Sequence, residues 1–132
     1  MIYTRTFWKV IVWSVLILIG SSISTKELEG ANFIHFENMD KIAHFISYYV
    51  LVLFLVNGFT RLNKEFKNYS VAFLSFSIAV TYGGIMEILQ LYFFNRTADI
   101  IDFIFNSAGA LIGLMTYRLV VKIPVVRSII LN

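Results

Sequence analysis

The chain contains no cysteine, which excludes disulfides and thiolate zinc sites. A protein embedded in lipid needs no disulfide staple, so this absence says nothing of a redox compartment. Charge is also scarce: 14% of the 132 residues are charged, against 58% hydrophobic and 17% aromatic, with a mean hydropathy of +0.77. An ordinary soluble domain is thereby excluded. The length suits one compact helical domain, residues 1–132, and leaves no room for a separate soluble catalytic domain. There is no internal repeat, low-complexity tract or linker, and no serine or cysteine motif that would supply a nucleophile. The net charge of +3 comes from basic residues scattered at segment ends rather than gathered in a patch, which argues against nucleic acid as a partner.

What the chain does have is long apolar runs. The first covers residues 7–23, with Lys9 placed to snorkel and Trp8 and Trp13 suited to a membrane interface. Its basic start and the small residues Gly20, Ser21 and Ser22 resemble a signal peptide, but no A-x-A cleavage site follows, so it reads as a short spanning helix. A polar, acidic connection over 24–40 leads to a second run, 42–59, near the length that crosses a hydrocarbon core of about 30 Å. The basic connection 60–68 precedes a third run, 69–94, which is longer than a span requires. A tight connection at 95–97 opens the fourth, 98–121, closed by Arg118, Lys122 and Arg127.

The expected fold is therefore all-α, an integral membrane bundle of four transmembrane helices. Placing both termini inside puts Arg5, Lys9, Arg61, Lys64, Lys67, Arg118, Lys122 and Arg127 in the cytoplasm and leaves only Lys26, Lys41 and Arg96 outside. Every acid except Glu65, and both histidines, then lie toward the outer face.

Polar residues recur on one stripe of each of three runs. Asp40, His44 and Tyr48 are spaced i, i+4, i+8, so His44 and Tyr48 sit about 6 and 12 Å deeper than Asp40. Ala79, Gly83, Glu87 and Gln90 share a second face, with small residues below two polar ones. Asp99, Asp102, Asn106, Gly109 and Gly113 fall within an arc of roughly 80°, again a polar group above a small-residue seam. Asp40 and Asp99 also have plainer readings, as residues favoured by a helix N-terminus, and Tyr48 as an interface aromatic.

The three stripes lie at one end of the expected bundle, and short connections favour their convergence. Asp40, Glu87, Asp99 and Asp102 outweigh Lys41 and Arg96 there, which calls for a protonated carboxyl, a cationic ligand or a divalent cation. The helix starts near Asp40 and Asp99, with Lys41 and Arg96, are anion-binding elements. Together these suggest a site for a lipid-linked phosphate or pyrophosphate headgroup, with Asp99 and Asp102 as candidate metal ligands.

These residues carry a family resemblance. Asp40-Lys41-x-x-His44-x-x-x-Tyr48, Gly83-x-x-x-Glu87-x-x-Gln90 and Arg96-x-x-Asp99-x-x-Asp102-x-x-x-Asn106, followed by Gly109 and Gly113, resemble the VanZ-like family of small bacterial membrane proteins. The similarity covers residues 40–113. It implies a bacterial inner-membrane protein linked with resistance to glycopeptide antibiotics, chiefly teicoplanin, whose targets are cell-wall precursors outside the membrane.

The residues leave three classes of function open. One is an envelope protein that binds or modifies a lipid-linked wall component, with Glu87 or His44 as general base, Asp102 beside them, and Lys41 and Arg96 on the anionic group; Asp40, Tyr48, Gln90 and Asn106 would complete its ligand contacts. Another is a small proton- or ion-coupled transporter. The third is a non-catalytic membrane scaffold, and homo-oligomerisation is compatible with all three.

Overall fold

A backbone in lipid has no water to satisfy its amides, so apolar runs of this length fold as helices, whose hydrogen bonds are internal. The computed structural model describes residues 2–22, 39–62, 68–94 and 99–131, and every regular element among them is a helix: α1 (Ile2–Ser22), α2 (Met39–Leu62), α3 (Asn68–Phe93), α4 (Ile100–Val120) and α5 (Pro124–Leu131). Most of the acidic connection, the basic one and the turn before α4, all read from the sequence, lie outside the described residues. Three helices, α2, α3 and α4, are long and apolar enough to cross a membrane, whereas the apolar stretch of α1, Thr6–Ser22, is shorter.

Side-chain contacts define how the helices run. Trp13 Nε1 donates to the Ser47 carbonyl at 2.9 Å, while the Phe7 and Phe59 rings meet edge to face at 5.1 Å, so α1 and α2 are antiparallel. Tyr82 OH donates to the Ser14 carbonyl at 2.7 Å and Gln90 Nε2 reaches the Ser21 carbonyl at 3.5 Å, which sets α3 parallel to α1. Trp13 is thus a packing residue between helices, whereas Trp8 is half exposed.

The closest helix pair is α2 with α4. A Cβ on Gly109 would lie 2.2 Å from the Phe45 carbonyl oxygen, and one on Gly113 would meet Val52 Cγ1 at 2.4 Å and the Tyr49 oxygen at 2.9 Å. Only glycine allows the two backbones to approach this closely, as in small-residue seams between membrane helices. One turn further along, Tyr49 OH and Thr116 Oγ1 pair at 3.0 Å. The ordered pairing of 45, 49 and 52 with 109, 113 and 116 shows that α2 and α4 run parallel. Tyr48, Leu51, Val52, Leu55, Ala79, Met86 and Ala110 form the buried core between them and α3.

The fifth helix was not read from the sequence. Pro124, the first residue of α5, suits a helix start because its missing N–H would have no partner there. The C-terminal carbonyls of α5 are held from two sides, Asn57 Nδ2 donating to the Ile130 oxygen at 2.7 Å and Lys9 Nζ to the Ile129 and Ile130 oxygens. Lys9 thereby places its ammonium against the negative end of this helix.

Candidate functional site

The glycine seam fixes the register of α2 against α4, and that register brings His44 opposite Asp102 and Asn106. Three consecutive turns of α4 carry Asp102, Asn106 and Gly109 on its buried face. His44 precedes Phe45, the residue whose carbonyl lies over Gly109. From the third side α3 contributes Glu87 one turn above Gly83, where a Cβ would meet Asn106 Cβ and Tyr48 Cε1, each at 3.3 Å. Small residues below thus permit the polar side chains above to touch.

These side chains form one connected chain. The Asp99 backbone N–H donates to Glu87 Oε2 at 3.3 Å, and Asn106 Nδ2 donates to Glu87 Oε1 at 3.4 Å. Asn106 Oδ1 faces His44 Nδ1 at 3.0 Å, and His44 Nε2 faces Asp102 Oδ2 at 3.6 Å. Glu87, Asp102 and Asn106 are buried at 7%, 4% and 0% exposure.

The donor and acceptor roles follow from this connectivity. With its amide nitrogen committed to the Glu87 carboxylate, Asn106 presents an oxygen, which only accepts, to His44. His44 Nδ1 therefore carries the hydrogen, an assignment made from the network. In the neutral ring Nε2 then holds a lone pair, and it faces a carboxylate oxygen. Two acceptors facing each other need a proton or a cation between them.

Two buried polar atoms at the cluster lack a hydrogen-bond partner among the described residues, Asp102 Oδ1 and the Tyr48 hydroxyl. Such atoms ordinarily cost about 1–3 kcal/mol each, so the site is not an arrangement optimised for stability alone. One ligand atom each from His44, Glu87 and Asp102 lies within 4.8 Å of the other two, a group of one nitrogen and two carboxylates.

The remaining sequence candidates take other positions. Asp40 pairs with Lys41 at 3.7 Å, both only partly exposed, at the start of α2. Asp99 is the N-cap of α4, its Oδ1 accepting from Ile101 N at 2.8 Å; its side chain thus answers the helix start while its backbone joins the cluster. Gln90 is buried, but its amide nitrogen turns to α1 and the Ser21 carbonyl. Arg96 lies outside the described residues. The Asp99 backbone N–H is a member that sequence reasoning missed, although the reading of Asp99 as a residue favoured by a helix N-terminus signals free amides there.

In comparison with known proteins, the VanZ/LLP1 family model aligns with residues 2–121 of this chain. No curated protein and no solved structure matches it significantly.

Proposed function

Because the chain belongs to the VanZ/LLP1 family, we propose that it is a multi-pass protein of the bacterial cytoplasmic membrane whose buried polar cluster binds the phosphate-bearing headgroup of a lipid-linked cell-wall component. In this reading α1 is a fourth span, supported by its antiparallel packing on α2, and both termini are cytoplasmic, supported by the distribution of basic residues. The cluster then faces outward, where wall precursors and glycopeptides meet. Lys41 at the start of α2 and Arg96 before α4 supply the cationic contacts to the headgroup, and Glu87, His44, Asn106 and Asp102 form the floor beneath it.

The observation that carries this reading is the connected chain Asp99–Glu87–Asn106–His44–Asp102. Interhelical polar contacts in membranes contribute only about 0.6 kcal/mol on average. Packing alone is a poor reason to hold two carboxylates and an imidazole inside the bundle, with Asp102 Oδ1 and Tyr48 OH unpartnered among the described residues. A ligand supplies the missing partners.

Native mass spectrometry of the purified chain with polyprenyl phosphate, polyprenyl pyrophosphate and phosphatidylglycerol tests the proposal. The two polyprenyl lipids should be retained over phosphatidylglycerol by the wild type and released by Lys41→Ala and His44→Ala. Equal retention of all three, or retention unaltered by both substitutions, would overturn it. Expression in a glycopeptide-sensitive host should raise the inhibitory concentration of teicoplanin, and wild type and His44→Ala giving the same value would remove the cluster from that role.

A further inference from the structure

We infer that His44 Nε2, Glu87 and Asp102 form a binding site for a divalent first-row metal ion of the zinc or manganese type, and that Asn106 orients its histidine. The inference rests on the cluster's geometry and not on the lipid reading. A chain that binds zinc but no polyprenyl lipid would keep it and defeat the proposed function, and the converse result would do the reverse.

Four observations converge. The three side chains bring one ligand atom each to within 4.8 Å of one another, and the His44 Nε2 and Asp102 Oδ2 pair already stands at 3.6 Å. A tetrahedral ion with bonds of about 2.1 Å separates its ligand atoms by roughly 3.4 Å, so that edge of the coordination sphere is nearly in place. Next, the Nδ1–H of His44 is committed to Asn106 Oδ1 at 3.0 Å. Metal-bound histidines characteristically donate their other ring N–H to such an acceptor, which holds the tautomer with the lone pair toward the ion. Here the acceptor is itself fixed by its second bond to Glu87.

A third observation lies outside the acidic cluster. The hydroxyl of Tyr48, a residue 1% exposed, has no hydrogen-bond partner among the described residues, and neither has Oδ1 of Asp102; the Tyr48 ring borders Gly83 beside Asn106. Buried oxygens without a partner among the described residues call for a further group at this point. Finally, the charges balance: two carboxylates and a neutral imidazole sum to minus two, which a divalent cation cancels in surroundings that penalise any net charge. Lys41 does not perform this task, being paired with Asp40. One imidazole among the ligands favours zinc or manganese over the oxygen-only preferences of magnesium and calcium. Three protein ligands leave a coordination position open, as in sites where a metal meets water or an exogenous oxygen.

The test uses the full chain without a histidine tag, stripped with EDTA and kept in detergent. The sequence has two histidines, His35 and His44, so the ligand set is easily assigned. Zinc titration should give one site per chain, and X-ray absorption at the zinc edge should show a single imidazole with oxygen ligands otherwise. His35→Ala should bind as wild type, Asp102→Asn and His44→Ala should lose the site, and Asn106→Ala should weaken it about 10–100-fold. Absence of zinc and manganese binding by wild type, a first shell without imidazole, or loss of binding in His35→Ala would each overturn the inference. The absorption spectrum needs only wild-type protein, so the test holds even if a variant fails to fold.

Discussion

Gly109→Ala is the substitution that couples the fold to the site most tightly. The added Cβ would lie 2.2 Å from the Phe45 carbonyl oxygen, 3.0 Å from its carbon and 3.1 Å from its Cα, all backbone atoms. No rotamer change relieves such a contact, so α2 and α4 must part by about 1 Å to restore ordinary van der Waals distance. A gap of that size forfeits a quarter to a half of the dispersion energy of each atom pair it opens. Overpacking of this kind costs about 1–3 kcal/mol. The same displacement stretches the His44–Asn106 bond from 3.0 Å to beyond hydrogen-bond range, a further loss of about 1 kcal/mol. Alanine's better helix propensity returns about 1 kcal/mol. The net loss is then about 1–3 kcal/mol, roughly 5- to 150-fold in the unfolding constant. Reversible unfolding in mixed SDS–detergent micelles, followed by circular dichroism, measures it. Gly20→Ala, with nothing within 4 Å, and Gly84→Ala, with only Phe103 Cε2 at 3.6 Å, are the controls. Gly58→Ala should cost little, because the obstructing atoms belong to the Phe7 ring, which can swing. If Gly109→Ala unfolds like Gly20→Ala, the close α2–α4 approach and the register derived from it are wrong.

Further outcomes follow from individual contacts. Glu87→Gln keeps the shape but offers one acceptor where two donors, Asp99 N–H and Asn106 Nδ2, need one each; it should lower stability by about 1–3 kcal/mol in the same unfolding assay. Asn57→Ala combined with Lys9→Ala removes the donors that hold the end of α5, and hydrogen exchange should accelerate at residues 126–131 while the amides of α2 and α4 stay protected. Trp13→Phe keeps the aromatic contact with Phe54 but loses the bond to the Ser47 carbonyl, for a cost of about 1 kcal/mol. Unchanged exchange in α5, or an unaltered unfolding midpoint in Trp13→Phe, would remove those contacts from the account.

The three long helices were legible because run length is a direct consequence of bilayer thickness: expected runs 42–59, 69–94 and 98–121 became Met39–Leu62, Asn68–Phe93 and Ile100–Val120. The convergence of His44, Glu87, Asp102 and Asn106 was legible for a related reason. Helical spacing puts each stripe on one face, and the small residues below the stripes of Glu87 and of Asp102 show which face meets a neighbour. Individual partners were not legible, because they depend on the rotation of each helix by tens of degrees. Gln90 shares the stripe of Glu87 in sequence yet turns to Ser21 on α1, and Lys9 bonds to the Ile130 carbonyl of α5. The closing helix went unread because eight residues are short for a periodicity to register. Its signal was Pro124 followed by paired apolar residues at 125–126 and 129–130.

The central claim is that the Asp102 carboxylate is kept in the buried cluster for a ligand and not for the cohesion of the bundle. Asp102 separates the two, since its Oδ1 has no partner among the described residues and its Oδ2 stands 3.6 Å from His44 Nε2, so its charge gains little from the contacts that bury it. The direct measurement is the unfolding free energy of Asp102→Asn against wild type, both in EDTA and free of added lipid. If the carboxylate is held for function, its neutral replacement should be as stable as wild type or more so. A loss comparable to that of Gly109→Ala would mean that Asp102 is architecture, and would contradict the account.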